Sequence, residues 1–145
     1  MTLILDAAPL VCLADRRDTR HRNVRDALTR EPGDLIVPAP VTAEVDYLLG
    51  MRIGRRAQQA FLEDIAEGRF GVACVEETDF PLMLRYETQY AALAVGLADL
   101  SVVMLAHRWR TRRIMTFDHR HFRALRPVDG GAFVLLPDDE FPGAS

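Results

Sequence analysis

The chain has 145 residues, 49% of them hydrophobic, which is enough for one domain with a sizeable core. All 18 basic residues are arginine, which excludes lysine-dependent chemistry such as P-loop phosphate binding and Schiff bases; a formal charge of −3 argues against a free-standing, non-specific nucleic-acid coat. No apolar run approaches the roughly 20 residues of a membrane span, no basic segment precedes the first apolar stretch, and Cys12 and Cys74 lack a CxxC pattern, so a cytoplasmic protein with buried free thiols is expected.

Thr2-Leu3-Ile4-Leu5-Asp6 opens the chain with an unbroken strand that runs straight into a carboxylate. Near-continuous apolar character, rather than alternation, suits a strand covered on both faces. Pro9 to Ala14 then reads as a short helical turn, and Thr19 to Arg30 as a helix with Val24, Ala27 and Leu28 on one face. Glu31-Pro32-Gly33-Asp34 breaks it, and Leu35-Ile36-Val37 is a second strand, stopped by Pro38 and Pro40. A helix from about Val41 to Gly50 buries Val41, Val45, Leu48 and Leu49. Another after Gly54 carries Ala57, Ala60, Phe61 and Ile65 on one stripe and ends at Gly68.

Gly71 to Val75 forms the third strand. Thr78 is placed to cap the next helix, which tolerates Pro81 in its first turn and continues through Tyr90. Ala98 to Trp109 is a further helix, Arg113 to Thr116 the fourth strand, and Ala132 to Leu136 the fifth, with a short helix from Arg120 to Leu125 between them. The polar residues from Pro137 onward predict a loosely held tail at the end of a single domain spanning 1–145. Strands alternating with helices predict an α/β fold: a five-stranded parallel sheet of order 3-2-1-4-5 with right-handed crossovers and helices on both sides. That order puts a topological switch point between strands one and four, where open α/β sheets bind ligands.

Most of the 21 acids lie in plainly polar surroundings, but four do not. Asp6 ends strand one, Glu44 falls in the first turn of the helix after strand two, Asp99 opens the helix before strand four, and Asp118 follows that strand. A helix leaving a parallel strand, and a helix running back into one, both start at the carboxyl edge, so all four acids converge there. Singly, Glu44 and Asp99 could merely complement helix dipoles, worth about 0.3–1 kcal/mol, and Asp6 and Asp118 could be turn residues. Together they repel: two unit charges 5 Å apart at an effective dielectric of ~20 cost roughly 3 kcal/mol. Arginines or divalent cations must offset that, and an all-carboxylate set favours Mg²⁺ or Mn²⁺ over zinc.

Leu5-Asp6-Ala7-Ala8-Pro9-Leu10, Thr42-Ala43-Glu44-Val45, Leu97-Ala98-Asp99-Leu100-Ser101 and Thr116-Phe117-Asp118-His119-Arg120-His121-Phe122 resemble the four acidic motifs of the PIN domain, and the whole chain resembles the VapC-type toxins of bacterial toxin–antitoxin pairs. The resemblance implies a PIN-like three-layer α/β/α fold and a Mg²⁺-dependent endoribonuclease, with Mn²⁺ able to substitute. It further implies a homodimer held inactive by a cognate VapB-like antitoxin, with tRNA or rRNA as substrate. Asp6, Glu44, Asp99 and Asp118 would be its metal-site residues. The chain departs from the family's pattern at Ala8, where a Ser or Thr hydroxyl is common.

Thr116 and Ser101 are candidate supporting hydroxyls, and Arg52 and Arg55 candidate substrate or antitoxin contacts. The run His107 to Arg113 could grip phosphates with Trp109 stacking on a base, or be a solvated helix end. His119 and His121 read as a surface helix start rather than as ligands. Two other classes compete with the nuclease. A phosphoacceptor receiver domain would want a lysine near its last strand, and there is none; a non-catalytic binding module would keep the fold and lose turnover through Ala8.

Overall fold

The computed structural model describes residues 1–140. Five parallel strands form one sheet: β1 Leu3–Leu5, β2 Leu35–Pro38, β3 Gly71–Ala73, β4 Arg113–Met115 and β5 Val134–Leu136. Their order is β3-β2-β1-β4-β5, as the alternation of elements predicts. Seven helices flank the sheet: α1 Ala7–Ala14, α2 His21–Arg30, α3 Ala39–Arg52, α4 Arg55–Ala66, α5 Phe80–Gln89, α6 Leu97–Arg108 and α7 His119–Ala124. No helix among the described residues is long and apolar enough to cross a membrane.

Leu3, Ile4 and Leu5 have no exposure at all, which is what an apolar run without alternation requires of a central strand. The register pairs Ile4 with Ile36 on one side and with Ile114 on the other, so Asp6 emerges one residue past the sheet, level with Thr116. Leu100 through Ala106 of α6 are all buried, so Asp99 rides on an element locked into the core.

Several boundaries shift for identifiable reasons. Pro38 and Pro40 do not merely stop a strand: Pro38 stands at the N-cap position of α3 and Pro40 in its first two residues, where the missing N–H has no helical partner to lose. The helix therefore begins at Ala39, and Glu44 falls in its second turn, not its first. A dipole-complementing role for Glu44 loses its basis there. Thr78 is not the cap of α5; a 3-10 turn over Glu77–Asp79 precedes it, closed by reciprocal bonds between Glu76 and Asp79. Cys12 is buried as expected, but Cys74 is exposed, because it follows the edge strand β3.

The segment from Pro137 to Glu140, read from sequence as loosely held, is anchored. Pro137 is buried, the Asp139 carboxylate accepts from the Leu135 N–H and pairs with Arg123, and Glu140 pairs with Arg113. The remainder of that expected tail, 141–145, lies outside the described residues.

Candidate active site

Three of the four expected acids meet at the carboxyl edge between β1 and β4. Asp6 caps α1: one carboxylate oxygen accepts the Ala7 N–H at 2.8 Å and the other the Thr116 hydroxyl at 2.7 Å. Thr116 in turn accepts the Asp118 N–H at 2.9 Å, so one hydroxyl ties the ends of β1 and β4 together. Asp118 caps α7 by accepting the His121 N–H at 3.0 Å. The His121 ring then bridges two acids, its Nδ1 2.7 Å from Asp118 and 3.0 Å from Asp99. Ionised carboxylates can only accept, so Nδ1 carries the hydrogen.

Burial sets the electrostatics. Asp6 is 7% exposed, and burial raises its carboxyl above the usual range, with the Asp118 charge adding to it, against the two hydrogen bonds that favour the ionised form. Asp99 is pushed up to about 6, by burial first and then by the charge of Asp6, although His121 opposes the shift. Glu44 is raised by partial burial of its carboxyl and by Asp6 as well, which brings it within the electrostatic reach of the cluster although the residue is exposed. Asp6 is thus the charge that both other raised acids feel.

Ligand atoms of Asp99, Asp118 and His121 lie within 4.8 Å of one another, close enough to hold one metal ion. His121 is the residue that sequence reasoning set aside as a helix start. The signal was present: His121 follows Asp118 by three positions, which in a helix puts both on one face. What was hidden is that the first turn of α6 brings Asp99 to that same face. His119 points elsewhere and pairs with Asp138 at 3.0 Å. A second group missed in sequence is Arg20, clamped by the Asp18 carboxylate at 2.9 and 3.0 Å and stacked 4.0 Å from the centre of the Phe117 ring, next to Asp118.

The remaining expected residues divide. Thr116 is in the cluster, whereas the Ser101 hydroxyl donates to the Ala98 carbonyl of its own helix at 2.6 Å, fully buried. Arg52 and Arg55 are exposed at the α3–α4 turn; eight residues of helix carry Arg52 about 12 Å along the axis from Glu44, so the fold does not bring it to the acids. Trp109 is half-buried against the core, with the Arg108 guanidinium 5.8 Å from its ring centre. Ala8 is exposed, and the hydroxyl that reaches Asp6 comes from Thr116 on the neighbouring strand.

Residues 3–126 match the PIN domain family model. The chain belongs to the PIN domain family. It is similar to Ribonuclease VapC26 of Mycobacterium tuberculosis, with 36% identity over 135 residues, 93% of this chain and 100% of the relative. Two crystal structures share the fold of this PIN domain. VapC20 of Mycobacterium tuberculosis, a sarcin–ricin loop cleaving toxin, superposes with a TM-score of 0.74 at 17% identity, covering 80% of this chain and 89% of that one. VapBC2 from Rickettsia felis, bound to a DNA fragment from its promoter, does so with a TM-score of 0.64 at 15% identity, over 93% and 97% of the two chains.

Proposed function

We propose that this PIN domain is the toxin of a toxin–antitoxin pair, an endoribonuclease that hydrolyses phosphodiester bonds in RNA with a divalent ion held at the carboxyl edge of the sheet. The observation that carries the reading is the joining of Asp6, Asp99 and Asp118 through Thr116 and His121 at the switch point, with Glu44 coupled to them by charge. The resemblance to Ribonuclease VapC26 over nearly the whole chain supports the RNA substrate and the toxin role.

The donor set fits a hard divalent ion. Asp99 and Asp118 offer oxygen ligands, which suit Mg²⁺ or Mn²⁺; His121 adds one nitrogen, so the set is not the all-carboxylate one expected from sequence and its preference moves from Mg²⁺ toward Mn²⁺. An ion bound there supplies charge neutralisation at the phosphate and activation of the attacking water. The protein's own contribution is preorganisation. Asp6 is fixed by two hydrogen bonds and cannot swing to solvent, and Thr116 holds β1 and β4 in register so that Asp6 and Asp118 keep their spacing. His121 keeps Asp99 and Asp118 facing each other. Burial and the Asp6 charge push the Asp99 carboxyl up to about 6, a cost that a bound cation would offset.

The partners on this reading are a second copy of the chain and a VapB-like antitoxin. Exposed Tyr47 and Met51 on α3, beside Arg52 and Arg55, and exposed Phe80 and Leu84 on α5 give the apolar surface such partners need. Expression of the free protein should arrest growth, and Asp6→Ala should relieve the arrest. Equal arrest by Asp6→Ala would contradict catalysis as its cause.

A further inference from the structure

A cleft of about 800 Å³ opens where α6 ends and β4 and β5 begin, with Arg108, Arg110, Arg112 and Arg113 around an apolar floor that includes Val103 and Phe133. A second, of about 430 Å³, lies beside α5 and is lined by Arg85, Arg126 and the tyrosines Tyr86 and Tyr90. Pro127 and Val128 line both, so the two clefts adjoin. Six of the chain's 18 arginines gather there against two acids, Asp129 and Glu140, although the chain as a whole carries a charge of −3.

These arginines fall into two sets. Arg113 is structural, bound to Glu31 and Glu140 at once, and Arg108 is bound to Asp79 and to the Cys74 carbonyl. Arg85, Arg110 and Arg126 are exposed and form no ion pair among the described residues, and Arg112 is 3.7 Å from the mostly exposed Asp129.

Two of the second set stand at or beside left-handed backbone. Arg110 has φ +53° and follows α6 in a Schellman turn: its N–H reaches the His107 carbonyl, and the Thr111 N–H reaches that of Ala106. Glycine is the ordinary residue at such a left-handed position, and a side chain there is disfavoured. Arg112 lies against Gly131, where a Cβ would come within 2.5 Å of its guanidinium. Gly131 itself has φ +87°, a left-handed conformation that favours glycine whatever lies beside it.

We propose that these adjoining clefts bind a single-stranded flank of the RNA substrate, with the free guanidiniums on phosphates and Tyr90 and the apolar floor against bases. The inference rests on the ribonuclease reading for its choice of RNA among polyanions. Guanidiniums with unfilled donors match phosphate oxygens, and half-buried Tyr90, backed by the buried Tyr86 ring 5.6 Å away, gives a base an aromatic neighbour. α6 runs from Asp99 at the carboxyl edge of the sheet to Arg108, nine residues and about 14 Å along its axis, so the clefts lie at the opposite edge of the sheet from the acids.

The test is fluorescence anisotropy of a labelled 12-nucleotide single-stranded RNA in EDTA, so that cleavage plays no part, across a salt series. For single strands, log K falls with log salt with a slope of about −0.7 per neutralised phosphate, so Arg85→Ala/Arg126→Ala and Arg110→Ala/Arg112→Ala should each reduce the slope by about 1.4. The control pair Arg25→Ala/Arg69→Ala, outside the clefts, should leave it in place. An unchanged slope in both cleft pairs, or an equal loss in the control, overturns the inference. So does an oligoglutamate of the same length that binds as tightly as the RNA, which would assign the clefts to an acidic peptide. Cleavage of RNA by the parent with an unchanged slope sinks only the clefts. Arginine-dependent binding without cleavage in any divalent ion sinks the ribonuclease reading instead.

Discussion

Replacing Asp99 by asparagine should stabilise the metal-free protein. Burial and the charge of Asp6 push the Asp99 carboxyl from 3.8 up to about 6. A carboxyl raised in the folded state gives stability that is fully present below its unfolded value and is lost as pH rises through its folded one. The loss therefore develops between about pH 4 and pH 6 and is complete at neutrality. At about 1.36 kcal/mol per pH unit, the upper limit is about 3 kcal/mol. The side chain keeps 19% exposure, and asparagine forfeits the charged bond to His121, so about 1–3 kcal/mol of relief is the working range. For a domain near 150 residues, each kcal/mol moves Tm by about 2–4 °C. Asp99→Asn in EDTA at pH 7.5 should melt roughly 2–12 °C above the parent, and the gap should close by pH 4. Millimolar Mg²⁺ should then raise the parent more than the variant, because the folded parent binds it better. A variant that melts lower in EDTA at neutral pH, or a gap indifferent to pH, would refute the reasoning and make Asp99 an ordinary helix-start residue.

Thr116→Val removes the hydroxyl joining Asp6 to the Asp118 backbone; chemical denaturation should show a loss of about 1–3 kcal/mol, with RNA cleavage falling alongside. His121→Ala frees Asp99 and Asp118 to part, so calorimetric titration should show weaker Mn²⁺ binding than the parent gives. Arg113→Met strands the Glu31 carboxylate, 1% exposed, and should destabilise by about 3–5 kcal/mol in urea. Arg113 holds the Glu31 carboxyl below its ordinary value, so the parent's advantage is present above pH 4.5 and should fade as acid protonates Glu31.

The parts of this site that follow from chain order were legible in the sequence. An apolar run ending in Asp6, and the placement of Asp99 and Asp118 before and after strand four, fix the edge at which they emerge once the sheet order is known. What depends on a single turn of helix was not. Prolines at 38 and 40 read as stops, yet one of them also starts α3, and two residues of extra helix carried Glu44 into the second turn. His121 needed the relative placement of α6 and α7, which periodicity within either helix does not contain. The exposure of Cys74 follows from β3 being an edge strand, so an apolar neighbourhood in sequence gave no guide to its burial. Arg110 and Arg112 looked like an ordinary basic helix end; the left-handed turn and the Gly131 contact that distinguish them exist only in three dimensions.

The central claim is that the cluster around Asp6 cuts RNA with a divalent ion. Purified protein, free of any partner, should be incubated with a total tRNA and rRNA pool in Mg²⁺, in Mn²⁺ and in excess EDTA, beside Asp6→Asn, with the new ends mapped by sequencing. The account predicts discrete cleavage sites in either ion and none in EDTA or in the variant. Cleavage undiminished by EDTA, or the same sites cut by Asp6→Asn, would contradict it.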